Sequence, residues 1–154
     1  MGLYIPGIEP PPLLIELIEQ NRWVHPGNEV LREKIPFIKE ELLFLTSIDE
    51  MIRNSPYYWV PGDEEISLME YRGSRTGPRD LPWLDAELSL LLIDNKHIGH
   101  DLAICLDYRT GLETPRVVGT EWIKPDSASY QPTAPLYYRE ITSTLEAFVE
   151  LLGL

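Results

Sequence analysis

Three apolar segments of strand length follow one another between residues 88 and 122, and only short polar turns separate them. They cover residues 88–94, 101–109 and 115–122. Turns of this length cannot contain the long crossover that parallel neighbours need, so the pattern predicts a largely antiparallel sheet. None of the segments contains a nucleophile next to a base, a metal-ligand set or a phosphate-binding glycine loop. The centre of the chain is therefore expected to be a structural core.

Helical patterns lie on both sides of these segments. Leu13, Leu14, Leu17 and Ile18 recur at helical spacing and predict a helix that ends near residues 20–21. A short helix is also predicted at 29–34. Two capping boxes, formed by Ser47 with Glu50 and by Ser143 with Glu146, each predict the start of a further helix. Gly153 is expected at the C-terminal end of the last helix. Short strands are predicted at 42–45 and, as a strand or an extended lead-in, at 136–141.

This order predicts a single α+β domain over residues 1–154. Its largely antiparallel sheet is expected to have about five to six strands, with helices packed on one face. Residues 1–12 are rich in proline and glycine and predict an extended N-terminal arm. With 154 residues and 44% hydrophobic side chains, the chain has enough apolar material for one core.

The chain is strongly acidic, with 25 acidic against 13 basic residues and a net charge of -12. Such a field repels nucleic acids and anionic membranes and attracts cationic partners. A single cysteine, Cys105, excludes an internal disulfide and is expected to be a buried, inert thiol. The first residues contain neither a basic segment nor a continuous apolar stretch of the secretory type, so we expect a cytoplasmic protein.

Four segments of the chain resemble the SUKH superfamily, which contains bacterial immunity proteins and yeast cell-wall assembly regulators of the Smi/Knr type. Residues 43–51 resemble its short strand and capped helix, 98–108 its central strand, 115–118 the next strand, and 139–152 its closing helix. The likeness covers roughly residues 42–152, and the first 40 residues depart from the usual family opening. The resemblance implies an α+β fold without a catalytic site, and a role in binding and neutralising a protein toxin.

We expect that toxin to be basic, often a nuclease, and this chain to be a monomer or a weak homodimer that needs no cofactor. The candidate partner-binding residues are carboxylates with an aromatic side chain nearby, because such groups suit a hot spot with a charged rim. They are Asp49, Glu50, Trp59, Asp63, Glu64 and Glu65. The alternative is that Trp59 packs into the core and the acids only solvate their loop. A regulatory or scaffold protein without a toxin partner is the alternative function.

The sequence contains few motifs that are typical of catalytic or metal-binding sites. His97, His100 and Asp101 do not have a standard zinc spacing and are better explained as a polar hairpin turn. Asp101 and Asp107 would be roughly 20 Å apart along a strand, too far for a carboxylate pair, and are expected to cap strand ends. No nucleophile elbow is present. The basic residues Arg72, Arg75 and Arg79 could contact an anion or partner, or pair locally with Glu70, Asp80 or Asp85.

Overall fold

The computed structural model describes residues 9–38, 41–54, 88–96, 103–122 and 136–154. The helices in this part are α1 (Pro12–Glu19), α2 (Asn28–Lys34), α3 (Ile48–Asn54) and α4 (Leu145–Leu152). The strands are β1 (Leu42–Phe44), β2 (Ser89–Asn95), β3 (Ala103–Asp107), β4 (Arg116–Trp122) and β5 (Leu136–Thr142), and a 3-10 turn at Tyr108–Thr110 follows β3. Among the described residues, no helix has the length and apolar character needed to cross a lipid bilayer.

The five strands form one sheet in the order β1-β2-β3-β4-β5, and each described pairing is antiparallel. The predicted α+β class with a largely antiparallel sheet is therefore confirmed. Segment 136–141, which the pattern left open between a strand and a lead-in, is part of β5. All five residues of β3 are buried, so side chains on both faces of this central strand are covered. Cys105 is one of them and is buried, as expected.

Helices α1 and α2 pack against α4, and α4 packs on β4 and β5. Trp23, which follows α1, joins this helical group to the sheet. Its ring lies 5.3 Å from that of Phe44 in β1 and 6.4 Å from that of Phe148 in α4. Its indole N–H donates a 2.9 Å hydrogen bond to the carbonyl oxygen of Leu45. A buried Trp needs such a partner for its N–H, so this bond fixes where β1 lies relative to the helices.

The predicted helix ends are largely confirmed. Helix α1 stops at Glu19, with Gln20 at its C-cap. Gly153 adopts a left-handed conformation with φ of 72° at the end of α4, where a side chain would be strained. The Ser143 capping box is wrong by one residue, because Thr144 caps α4 and accepts a 3.1 Å bond from the N–H of Ala147. Both residues carry a hydroxyl, so the pattern alone could not choose between them.

Candidate functional site

Two of the predicted partner-binding residues lie in the first turn of α3. Asp49 is exposed and forms an ion pair with Arg53, one turn further along the helix. The carboxylate of Glu50 accepts bonds from the N–H of Thr46 at 3.1 Å and from its hydroxyl at 3.2 Å. The N–H of Glu50 donates to the hydroxyl of Ser47 at 3.1 Å. The predicted cap at Ser47 is thus present, but Glu50 reaches back to Thr46 rather than to Ser47.

The other predicted partner-binding residues, Trp59, Asp63, Glu64 and Glu65, lie outside the described residues. The same holds for the possible metal ligands His97, His100 and Asp101, and for the three arginines at positions 72, 75 and 79. Within the described part of the chain, no three His, Cys, Asp or Glu side chains come together in a way that could hold a metal ion. Partner binding by Asp49 and Glu50 remains a prediction.

A polar row crosses the sheet at one end. Ser89 of β2 lies opposite Asp107 of β3, and Asp107 lies opposite Arg116 of β4. Directly opposed residues of neighbouring strands share a face, so the three side chains lie side by side. Ser89 and Asp107 are fully buried. The sheet register therefore places a carboxylate inside the protein, where an unpaired charge would be costly.

Two arginines neutralise this buried carboxylate. Arg109, in the 3-10 turn, donates from its backbone N–H and from its Nε to Oδ1 of Asp107, at 3.1 and 3.0 Å. Arg116 donates from its Nε to Oδ2 at 2.9 Å. Its Nη1 also lies 3.4 Å from Oε1 of the half-exposed Glu140 on β5. We call these four residues (Asp107, Arg109, Arg116 and Glu140) the Asp107 cluster.

The Asp107 cluster holds its carboxylate in the charged form. Burial alone would raise the pKa of Asp107, but the hydrogen bonds and positive charge of Arg109, together with Arg116, lower it below its ordinary 3.8. A general acid or base needs a pKa near the working pH and access to a substrate, and Asp107 has neither. The predicted strand-end capping by Asp107 is confirmed, since its side chain accepts from the N–H two residues later.

The neighbouring Tyr108 is also buried. Its hydroxyl donates a 2.8 Å hydrogen bond to the carbonyl oxygen of Glu9, in the segment before α1. Burial raises the pKa of Tyr108. This bond ties the segment before α1 to the turn that follows β3, across a separation of 99 positions.

The described surface is rich in exposed carboxylates. Six of them lie on the helices α1, α2 and α4, which pack together, and we call this surface the acidic helical layer. Its members are Glu16, Glu19, Glu29, Glu33, Glu146 and Glu150. Helix α2 also carries exposed Arg32 and Lys34, and Lys34 pairs with Glu33 at 3.6 Å. Sequence reasoning missed this surface, because the six glutamates are spread over 135 positions and only the packing of the helices brings them onto one layer.

A cleft of about 350 Å³ lies beside β1. Two exposed apolar side chains line it, Val24 at 49% and Leu43 at 48% exposure. Its polar lining includes Glu41, whose Oε2 accepts a 3.1 Å bond from Nδ2 of Asn28. The other described residues of the lining are His25, Leu42, Phe44, Thr46 and Lys96. The walls that contain Val24 and Leu43 come from segments about 18 positions apart, and no local sequence motif predicts that these segments pack together.

Comparison with known proteins does not assign the chain to a family. No protein-family model, no curated protein and no solved structure matches it. The residues, their charges and the resemblance to the SUKH superfamily are therefore the basis for a functional proposal.

Proposed function

We propose that this chain is a non-enzymatic immunity protein that binds a basic toxin domain and neutralises it. The proposal includes a cytoplasmic location, a monomer or weak homodimer, and no role in binding nucleic acid or membranes. It rests on the resemblance to the SUKH superfamily and on one observation above all, the net charge of -12. Its expected interface includes Asp49 and Glu50 on α3, together with the 59–65 segment.

The distribution of charge supports a protein partner of opposite sign. Asp49 stands exposed on α3, and the acidic helical layer adds six glutamates to the exterior. A surface with an excess of one sign steers an oppositely charged partner toward encounter and raises the association rate. A nuclease must carry positive charge to approach its anionic substrate, so an acidic surface can compete for the same face.

The Asp107 cluster supports a non-enzymatic role for the described part of the chain. Ser89 and Asp107 are the buried polar residues there, and the Asp107 carboxylate is engaged by two guanidinium groups. A charge so fully paired has its oxygens engaged by the protein itself, and loss of either partner would leave a buried charge uncompensated.

The test is co-purification with the protein encoded by the gene next to this one, followed by binding kinetics at several salt concentrations. We expect a complex whose association rate falls steeply as salt increases. Failure of that protein to bind would contradict the toxin partner, and a gene that stands alone would favour the regulatory or scaffold alternative.

Charge reversal then locates the interface. The triple variant Asp63→Lys, Glu64→Lys, Glu65→Lys is compared with Glu16→Lys, Glu146→Lys, Glu150→Lys, which changes the net charge equally but lies on the acidic helical layer. Both variants should slow association, because both weaken the field. Only the first should speed dissociation, because short-range contacts govern that rate. Unchanged affinity in the first variant would count against that segment as the interface.

A further inference from the structure

Strand β1 forms one edge of the five-stranded sheet. The N–H of Leu45 donates to the carbonyl of Leu92 at 3.2 Å, and that of Lys96 donates to the carbonyl of Glu41 at 3.1 Å. Backbone groups in an antiparallel pair alternate in direction along each strand. The N–H and C=O groups of Leu42 and Phe44 therefore point away from β2, toward the outer side of the edge.

The cleft described above lies along this strand. All three residues of β1 line it, and Val24, His25 and Asn28 form the facing wall. The side chains of Leu42 and Phe44 are buried in the core, whereas that of Leu43 is 48% exposed. Among the described residues, no backbone hydrogen bond joins Leu42 or Phe44 to a segment on the outer side. Edge strands with such outward groups can pair with another extended chain.

The opposite edge of the sheet differs from this one. In β5 the central residues Arg139 and Glu140 are both exposed. Charged side chains on an edge strand hinder the approach of another strand. The sequence of β1, Leu-Leu-Phe, has no such charge.

We propose that an extended, cationic segment of the basic partner adds to the outer edge of β1 as a further strand of the sheet. Three described carboxylates near β1 outnumber one ammonium group, and this excess favours a cationic occupant. Glu41 lines the cleft just before β1. Glu50 is hydrogen-bonded to Thr46, which lines the cleft just after β1, and Asp94 lies opposite Leu43. Among the described residues of the lining, Lys96 is the single Lys or Arg. The proposal rests on the proposed function for the charge of its partner, and it extends the predicted interface at Asp49 and Glu50 to the neighbouring strand.

Binding of a synthetic peptide tests the edge without knowledge of the natural partner. The probe is a fluorescent peptide of alternating lysine and valine, measured by polarisation on the full chain. The comparison peptides are the same sequence with every backbone amide N-methylated, and an alternating glutamate–valine peptide. We expect the lysine–valine peptide to bind, and each comparison peptide to bind at least about ten-fold more weakly, which is about 1.4 kcal/mol.

N-methylation removes the donors that pair with the strand edge and leaves the charge unchanged. Equal binding of the methylated peptide would therefore show attraction to charge alone and would overturn the proposal. Absence of binding by the lysine–valine peptide would overturn it as well.

A matched pair of variants locates the peptide. Leu43→Lys puts a positive charge on β1, and Leu112→Lys makes the same change at another leucine, which is 58% exposed. We expect the first variant to lose about ten-fold in peptide affinity and the second to change less than about two-fold. Equal losses of peptide affinity in both variants would overturn the proposal. A dimer of the unmodified chain that Leu43→Lys abolishes would also overturn it, because the occupant of the edge would then be a second copy of the chain.

The two proposals fail separately. If the neighbouring gene's protein does not bind but the lysine–valine peptide binds at Leu43, the toxin assignment fails and the edge site stands. If that protein binds with equal affinity to the Leu43→Lys and Leu112→Lys variants, the toxin assignment stands and the edge site is wrong.

Discussion

Asp107 and Arg116 lie directly opposite each other on β3 and β4, and Nε of Arg116 donates a 2.9 Å hydrogen bond to a carboxylate that is fully buried. Arg109 engages both oxygens of the same carboxylate, from Nε at 3.0 Å and from Nη2 at 3.1 Å. The pairing links the 3-10 turn to the sheet and, through Arg116, to Glu140 on β5.

We predict that Asp107→Asn lowers the free energy of unfolding by about 3 kcal/mol, because it leaves two largely buried guanidinium groups without their counter-charge. Urea denaturation monitored by Trp fluorescence measures the change. The control is Glu140→Gln, whose side chain is 43% exposed and should cost less than about 1 kcal/mol. Equal effects of the two substitutions would contradict the importance of the buried carboxylate.

Acid should weaken the protein through the same group. Because the folded-state pKa of Asp107 is below its ordinary 3.8, the folded protein binds fewer protons than the unfolded chain in this range. The stabilisation is complete above pH 3.8 and is lost as the pH falls through the lower folded-state value. The difference in unfolding free energy between the unmodified chain and Asp107→Asn should therefore shrink with acidification below that pH. A constant difference would show that Asp107 does not titrate in this way.

Alkali should act through Tyr108. Burial raises the pKa of this phenol above its ordinary 10.0, so its stabilising contribution is complete below pH 10.0 and is lost as the pH rises further. Because Tyr108 should remain protonated near pH 10.0, the folded protein and its Tyr108→Phe variant should show equal changes in tyrosinate absorbance there. A smaller change in Tyr108→Phe would mean that Tyr108 ionises normally.

Substitutions at the start of α4 can test which residue is its N-cap. Thr144→Ala removes the side chain that accepts from Ala147 and should lower the free energy of unfolding by about 1 kcal/mol. Ser143→Ala removes a hydroxyl one position earlier and should change it by less than about 0.5 kcal/mol. Chemical denaturation of the two variants decides between the caps, and a larger loss from the serine substitution would restore the capping box that the sequence pattern predicts.

Local patterns predicted much of the fold. Apolar runs located β2, β3 and β4, and helical spacing located α1 and α4, because burial acts on neighbouring residues of one element. The partners of Asp107 could not be predicted in the same way. Arg109 is close in sequence, but Arg116 reaches the carboxylate only through the β3–β4 register, which spans nine positions. The β1 cleft depends on Val24 and Leu43 coming together, and no periodicity encodes that contact.

The strand order has a consequence for how the chain acquires its structure. Each described strand pairs with those next to it in the chain, so the sheet can grow by successive addition of neighbours. The connection between β3 and β4 contains only residues 108–115, so closing this loop costs little chain entropy. We expect this hairpin to form early and the contacts of Trp23 with Phe44 and Phe148, which span distant parts of the chain, to form late.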